Sequence, residues 1–137
     1  MKISSNTQCP CGSFKKYKKC CKIFHDGSNA KTAEQLMRSR FTAYKLNNAE
    51  YIIKTTHRDN QDYTLDIENW KKDIMSFCEY TDFIKLEVFE FINGEEESFV
   101  NFRATLKQGH LDASFNENSR FLKVDNKWFY VDGTFIE

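Results

Sequence analysis

The sequence is poor in chain breakers and has no net charge. It holds one proline and five glycines in 137 residues, and twenty lysines and arginines balance twenty aspartates and glutamates. So few breakers exclude a long disordered or proline-rich linker. No uncharged apolar run approaches the roughly 18 residues needed to cross a bilayer as a helix, and Met1 to Gln8 contain no apolar stretch of the secretory kind. A cytoplasmic protein with no membrane contact is the expectation. Also missing are a glycine-rich phosphate loop and any motif that fixes a nucleophile, so no reaction class is written into the chain. Acidic residues are absent from the first 25 positions, where Lys2, Lys15, Lys16, Lys18, Lys19 and Lys22 give +6 against −6 for the remainder.

Cysteine is present but unevenly spread. Cys9, Cys11, Cys20 and Cys21 fall within thirteen residues, and Cys78 stands apart in an apolar helical pattern that marks it as a buried small hydrophobe. A segment this short cannot build its own hydrophobic core, so it needs a bond to hold a shape. In a reducing compartment clustered thiols are metal ligands before they are disulfides, and a bond between neighbours such as Cys20 and Cys21 constrains almost nothing. Pro10 stiffens the bend between the first two cysteines, Gly12 can take a positive φ, and Ser13 can cap a short helical turn that delivers Cys20 and Cys21. A tetrahedral ion with four sulfur ligands has no open position for water or substrate, so the site is read as structural. Iron in the same S4 set is the chemical rival of zinc.

The spacing C-x-C-x8-C-C, with Cys9-Pro10-Cys11-Gly12-Ser13 and the Lys-Lys-Tyr-Lys-Lys-Cys-Cys that follows, resembles the SEC-C motif found at the C-terminus of the SecA translocation motor. The resemblance implies that Cys9, Cys11, Cys20 and Cys21 bind structural zinc. Phe14 departs from the family pattern, which often has Gly at this position. Four thiolates on a divalent ion would leave the module near about +4, which calls for an anionic partner. His25 is a conceivable competing ligand but is read as an exposed or loosely packed histidine.

Residues 1–25 are thus taken as the metal module, 26–31 as a linker and 32–137 as one α+β domain. Ile23 and Phe24 are expected to dock the module. Thr-Ala-Glu-Gln from Thr32 is a capping box that opens a helix to about Leu46. Its apolar stripe carries Arg40, which calls for a carboxylate or a bound anion, or else lies on the surface with its stem over apolar neighbours; Arg38 is read as exposed. Asn48 caps a second helix to about Thr56, and a third runs from about Asp66 to Tyr80 with Ile67, Trp70, Ile74, Phe77 and Cys78 on its core face. From Phe83 the period changes to two. The expected strands are 83–92 (central or strongly curved), 100–106, then 111–115 leading into a bulge at Asn116-Glu117-Asn118, 121–124, and 128–131.

Helices followed by an antiparallel meander give an α+β cone, an order similar to the nuclear transport factor two-like fold. Leu36 to Tyr44, Tyr51 to His57, Ser119-Arg120-Phe121 and Trp128 to Gly133 resemble the YchJ family, in which a SEC-C motif precedes one such domain. That resemblance implies an architecture and no activity. Some members carry a second SEC-C motif at the C-terminus, and no cysteine follows Cys78 here.

Two functions are weighed first. One is a zinc-stabilised adaptor in which Lys15, Lys16, Lys18 and Lys19 dock an acidic protein surface, RNA being the second candidate, while the cone holds a small ligand. The other is acid–base chemistry of the isomerase or dehydratase kind in the cone, whose candidate lining is Arg40, Tyr44, Tyr51, His57, Trp70, Glu90 and Asp132. A third reading has the cone packed shut by phenylalanines and the sheet used as a dimer face.

Overall fold

The computed structural model describes residues 3–136. A 3-10 turn (Tyr17–Lys19) leads into α1 (Cys21–His25), α2 (Ala33–Lys45), α3 (Ala49–Lys54) and α4 (Ile67–Glu79). The strands follow: β1 (Asp82–Ile92), β2 (Glu97–Gln108), β3 (Leu111–Asp112), β4 (Phe115–Val124) and β5 (Lys127–Ile136). All pair antiparallel in one sheet of order β1-β2-β4-β5, with the two-residue β3 also on β2. This is the expected α+β arrangement.

Local chemistry starts each helix. Thr32 Oγ1 accepts from the Gln35 amide at 3.1 Å, and Gln35 Oε1 accepts from the Lys31 amide at 2.8 Å. Asn48 and Asp66 cap α3 and α4 in the same way. Each such cap contributes about 1 kcal/mol.

The centre of the molecule is α2, whose buried residues include Leu36, Met37, Ser39, Arg40, Phe41 and Thr42. One flank faces the sheet, where Phe41 meets Phe83 edge-on at 6.0 Å above the inward row Val100, Phe102, Ala104 and Leu106 of β2. The other flank receives the cysteine segment. The end of α3 is fastened to β5: the His57 amide donates to the Tyr130 carbonyl and the Tyr130 amide to the Thr55 carbonyl, at 2.8 and 2.9 Å.

Several expectations need correction. The first long strand is an edge strand, and its apolar residues on both faces reflect curvature: the register on β2 shifts between Phe83 and Lys85 and again between Val88 and Glu90, leaving Ile84, Phe89 and Ile92 exposed. No bulge occurs at Asn116-Glu117-Asn118, which pair regularly with β2; the shift lies between Arg120 and Phe121 against β5. The last strand continues to Ile136. Ile67 opens α4 on the solvent side, so the core face of that helix begins at Trp70. Phe24 packs against the core, whereas Ile23 is exposed. Cys78 is half-buried, and burial raises its thiol to about 11. No helix among the described residues is long and apolar enough to cross a membrane.

Candidate metal centre and cone pocket

The cysteine segment folds as a tight hairpin. The Cys9 amide donates to the Lys15 carbonyl at 2.7 Å and the Tyr17 amide to Thr7 at 2.8 Å, with an isolated bridge between Gln8 and Lys16. The 3-10 turn then brings Cys20 and Cys21 to the start of α1. The four sulfurs lie within 4.8 Å of one another, Cys11 and Cys20 at 3.6 Å. Tetrahedral zinc–sulfur bonding puts sulfurs about 3.8 Å apart, so this donor set fits a four-coordinate ion.

Electrostatics agrees with that fit. The Cys11 thiol, donating to Cys9, pulls Cys9 far below the ordinary thiol range, and a hydrogen bond from Cys21 lowers Cys20 to about 6. Cys11 feels a lowering hydrogen bond from Cys21, outweighed by Cys9 and burial, and rises to about 11. Cys21, hydrogen-bonded to Cys11 and its neighbours, is pushed far up. Four sulfurs this close compete for protons, and a divalent cation among them would let all four be thiolates.

The hairpin is built into the body. Arg38 spans the junction, Nη1 donating to the Cys11 carbonyl at 2.6 Å and Nε to Glu34 at 3.0 Å, so this arginine is half-buried and not the surface residue expected. Gly12 has φ +83°, and a Cβ there would meet the Leu86 carbonyl of β1 at 2.8 Å, so the loop's approach to the sheet requires glycine. Cys9 Sγ reaches Thr42 Oγ1 at 3.7 Å.

His25, expected to be exposed or loosely packed, is half-buried at this junction with partners on both ring nitrogens. Its Nε2 lies 2.9 Å from the Ser39 carbonyl and its Nδ1 2.8 Å from Tyr17 Oη. A carbonyl only accepts, so Nε2 carries the proton and Nδ1 accepts from the tyrosine hydroxyl. Burial lowers the histidine below 6.5 and lifts Tyr17 to about 12, which keeps this pairing at neutral pH. A histidine depressed in the folded state supplies stability above its unfolded value that is lost as pH falls below 6.5. Urea denaturation at pH 7.5 and 5.5 is therefore expected to show the advantage of wild type over His25→Gln narrowing at the lower pH; an unchanged difference would remove the neutral pairing.

On the opposite flank of α2 the curved sheet leaves a cavity of about 240 Å³. Its apolar wall includes Phe41, Phe77, Phe83, Phe102 and Phe115. The phenylalanines line the cone without filling it, so the packed-shut reading is set aside. The polar floor is Arg40, Glu117, Ser119 and Tyr130, with Tyr44 beside them. Arg40 is only 6% exposed. From Nη1 it donates to the Ile52 carbonyl at 3.0 Å, Thr55 Oγ1 at 2.8 Å and Thr56 Oγ1 at 3.1 Å, and its guanidinium sits 4.8 Å from the centre of the Tyr130 ring. The expected carboxylate is replaced by neutral acceptors and an aromatic face. Glu117 Oε2 accepts from Ser119 Oγ and, at 3.2 Å, from the Tyr130 hydroxyl. Burial and then the Glu117 charge hold Tyr130 well above the usual phenol range, so it remains a donor. Burial raises Tyr44 as well, against the opposing pull of Arg40.

Of the seven cone candidates, Arg40 and Tyr44 line the cavity. Tyr51 points to the other flank of α2, its hydroxyl 2.7 Å from Ser39 Oγ and its ring 4.7 Å from that of His25. His57 and Trp70 meet in a separate groove outside the cone. Glu90 is exposed on the edge strand, and Asp132 is on the outer face, paired with Arg120 at 3.1 Å. Glu117, Ser119 and Tyr130 were missed. The signal for Glu117 and Ser119 is the two-residue period Phe115, Glu117, Ser119 on one face of β4; Tyr130 lies on β5. Gly133 makes room for the glutamate, since a Cβ there would collide with the Glu117 side chain.

The family model for the YchJ middle NTF2-like domain matches residues 32–133, and that for the SEC-C motif matches residues 6–22. The chain belongs to the YchJ family. A UPF0225 protein of Vibrio parahaemolyticus is 37% identical over 134 residues, which cover 96% of this chain and 77% of that relative. Among solved structures, a SEC-C motif containing protein from Rhodopseudomonas palustris superposes with a TM-score of 0.82 at 29% identity, covering 96% of this chain and all of the other. A second, from Psychrobacter arcticus, gives 0.80 at 32% identity over 97% of this chain and 85% of its own. The YchJ-family architecture thus combines a four-cysteine cluster compatible with metal binding and helices packed on a five-strand antiparallel sheet.

Proposed function

We propose that this YchJ-family chain is a cytoplasmic, zinc-stabilised adaptor whose SEC-C hairpin docks an acidic protein surface and whose cone holds a small ligand. Phe14 carries the docking half of this reading. Its backbone is left-handed at φ 67°, a conformation that costs a non-glycine residue about 1 kcal/mol or more, yet its ring is 84% exposed and gains nothing from burial. Lys15, Lys16, Lys18 and Lys19 beside it are all exposed. An aromatic anchor held out in a ring of cations is suited to a partner with an apolar pocket rimmed by carboxylates. Arg40 and the open cavity support the second half, favouring a ligand with an apolar body and an acceptor group turned to the guanidinium.

The test separates strain from recognition. Phe14→Gly is expected to raise thermal stability by about 1 kcal/mol while reducing recovery of the cross-linked protein partner from cells, and replacing the four lysines with glutamate is expected to abolish that recovery. Partner yield that is indifferent to both changes would sink the docking reading, and yield that is lost on nuclease treatment would move it to RNA. Proton-transfer chemistry in the cone is the second reading, favoured by the Glu117–Tyr130–Ser119 cluster; it requires a cone ligand that returns chemically altered from wild type and unaltered from Glu117→Gln.

A further inference from the structure

Outside the cone, between the segment after α3, the start of α4 and the β4–β5 turn, lies a second groove of about 410 Å³. Three of its lining residues are aromatic. Tyr63 stands edge-on to Trp70 with ring centres 5.5 Å apart, and Phe129 lies 6.3 Å from the ring of His57. Lys54 and Arg58, both exposed, bring cationic nitrogen donors and His57 an imidazole one. No carboxylate lines it among the described residues.

His57 is the most informative of these. It is only 9% exposed, and its Nδ1 accepts from the Asp59 amide at 3.0 Å, so the proton is on Nε2. Asp59 Oδ2 lies 3.8 Å from that same Nδ1. Nε2 has no hydrogen-bond partner among the described residues, and it is not sealed from solvent. His57 lines the groove with its tautomer fixed by backbone and its Nε2–H unpaired, so it has one hydrogen bond to give to a ligand there. Lys54 and Arg58 add positive charge on the same wall, and the exposed part of the Tyr63 ring, 40% of that residue, offers a flat apolar face.

We propose that this groove binds a nucleoside monophosphate, with the base stacked against Tyr63 and Phe129 and the phosphate held by Arg58, Lys54 and the Nε2–H of His57. The volume suits such a ligand, since small-molecule sites run from about 300 to 1,000 Å³. Stacking on an aromatic face tolerates any base, so the site selects for ring plus phosphate and not for base identity. A bare anion would leave the aromatic wall unused, and a bare nucleoside would leave three donors facing water.

The test is a titration of the whole chain followed by amide and indole NMR, using 5′-AMP, adenosine, inorganic phosphate and a short oligoadenylate. With 5′-AMP, shifts are expected at Lys54 to Tyr63, at the Trp70 indole and at Phe129. Adenosine and phosphate alone are expected to bind at least about tenfold more weakly, as is 5′-AMP to the Lys54→Ala/Arg58→Ala double variant. Both substituted residues are on the surface, so the variant is expected to keep the wild-type spectrum elsewhere. The proposal is overturned by an absence of shifts at millimolar 5′-AMP, by shifts centred elsewhere, by adenosine binding as tightly as 5′-AMP, or by a double variant of undiminished affinity. Oligoadenylate binding far more tightly than 5′-AMP would also overturn it, since the groove would then be a strand-binding surface.

Discussion

Cys11→Ser is expected to release the metal and to lower the melting temperature of the whole protein by about 10 °C or more. Structural zinc contributes folding free energy outright. Here the effect reaches past the hairpin, because Cys9, Cys11 and Cys21 belong to the same buried cluster as Leu36, Phe41 and Leu86. If the centre holds the proposed ion, its loss is expected to unfasten the Cys11 carbonyl from Arg38 and free the loop that seats Gly12 on Leu86. Metal content by mass spectrometry and thermal unfolding followed by circular dichroism check both parts. A variant that loses its metal yet melts with wild type would show that the hairpin rides on the body without stabilising it.

Arg40 gives the second large effect, and two substitutions are needed to read it. Arg40→Ala removes a long stem from the floor of the cone, along with three hydrogen bonds and the Tyr130 stack, and is expected to lose about 3 kcal/mol. Arg40→Met keeps the volume and discards a desolvated charge. The acceptors are not stranded by it, since Ile52 O still accepts from Thr56 Oγ1 at 2.7 Å and Thr55 Oγ1 still donates to Tyr51 O at 2.7 Å. Removing a buried charge in favour of an apolar isostere is often neutral or stabilising, so Arg40→Met is expected to fall within about 1 kcal/mol of wild type and, if the cone takes the ligand proposed above, to lose it. Urea denaturation of the pair decides: equal losses from alanine and methionine would make the guanidinium structural, and a large gap would leave ligand binding as its reason for being there.

The parts legible in sequence were those set by short-range spacing. Four cysteines in thirteen residues led to one centre, the capping box at Thr32 placed α2 within a residue, and the helical stripe put Arg40 on a core face. Side chains whose place depends on long-range register were not legible. Asp132 was placed in the cone, but the shift between Arg120 and Phe121 against β5 leaves it on the outer face opposite Arg120. Glu117 was lost in a supposed bulge that interrupted the two-residue period of β4. Arg38 was read as surface because the carbonyl that holds it is 27 residues away in the chain. Tyr51 was placed in the cone but meets Ser39 and His25 instead, because which side of α2 it reaches depends on how α3 crosses that helix, and no local pattern encodes that.

The position of Gly12 against β1 bears on how the protein fails. β1 is an edge strand with Ile84, Phe89 and Ile92 open to solvent, and such an edge is a template on which another chain can add a strand. Two register shifts twist part of it out of use, and the cysteine hairpin stands against its backbone at Leu86. Oxidation or chelation that loosens the hairpin is therefore expected to bare part of that border to other chains as well as to weaken the interior.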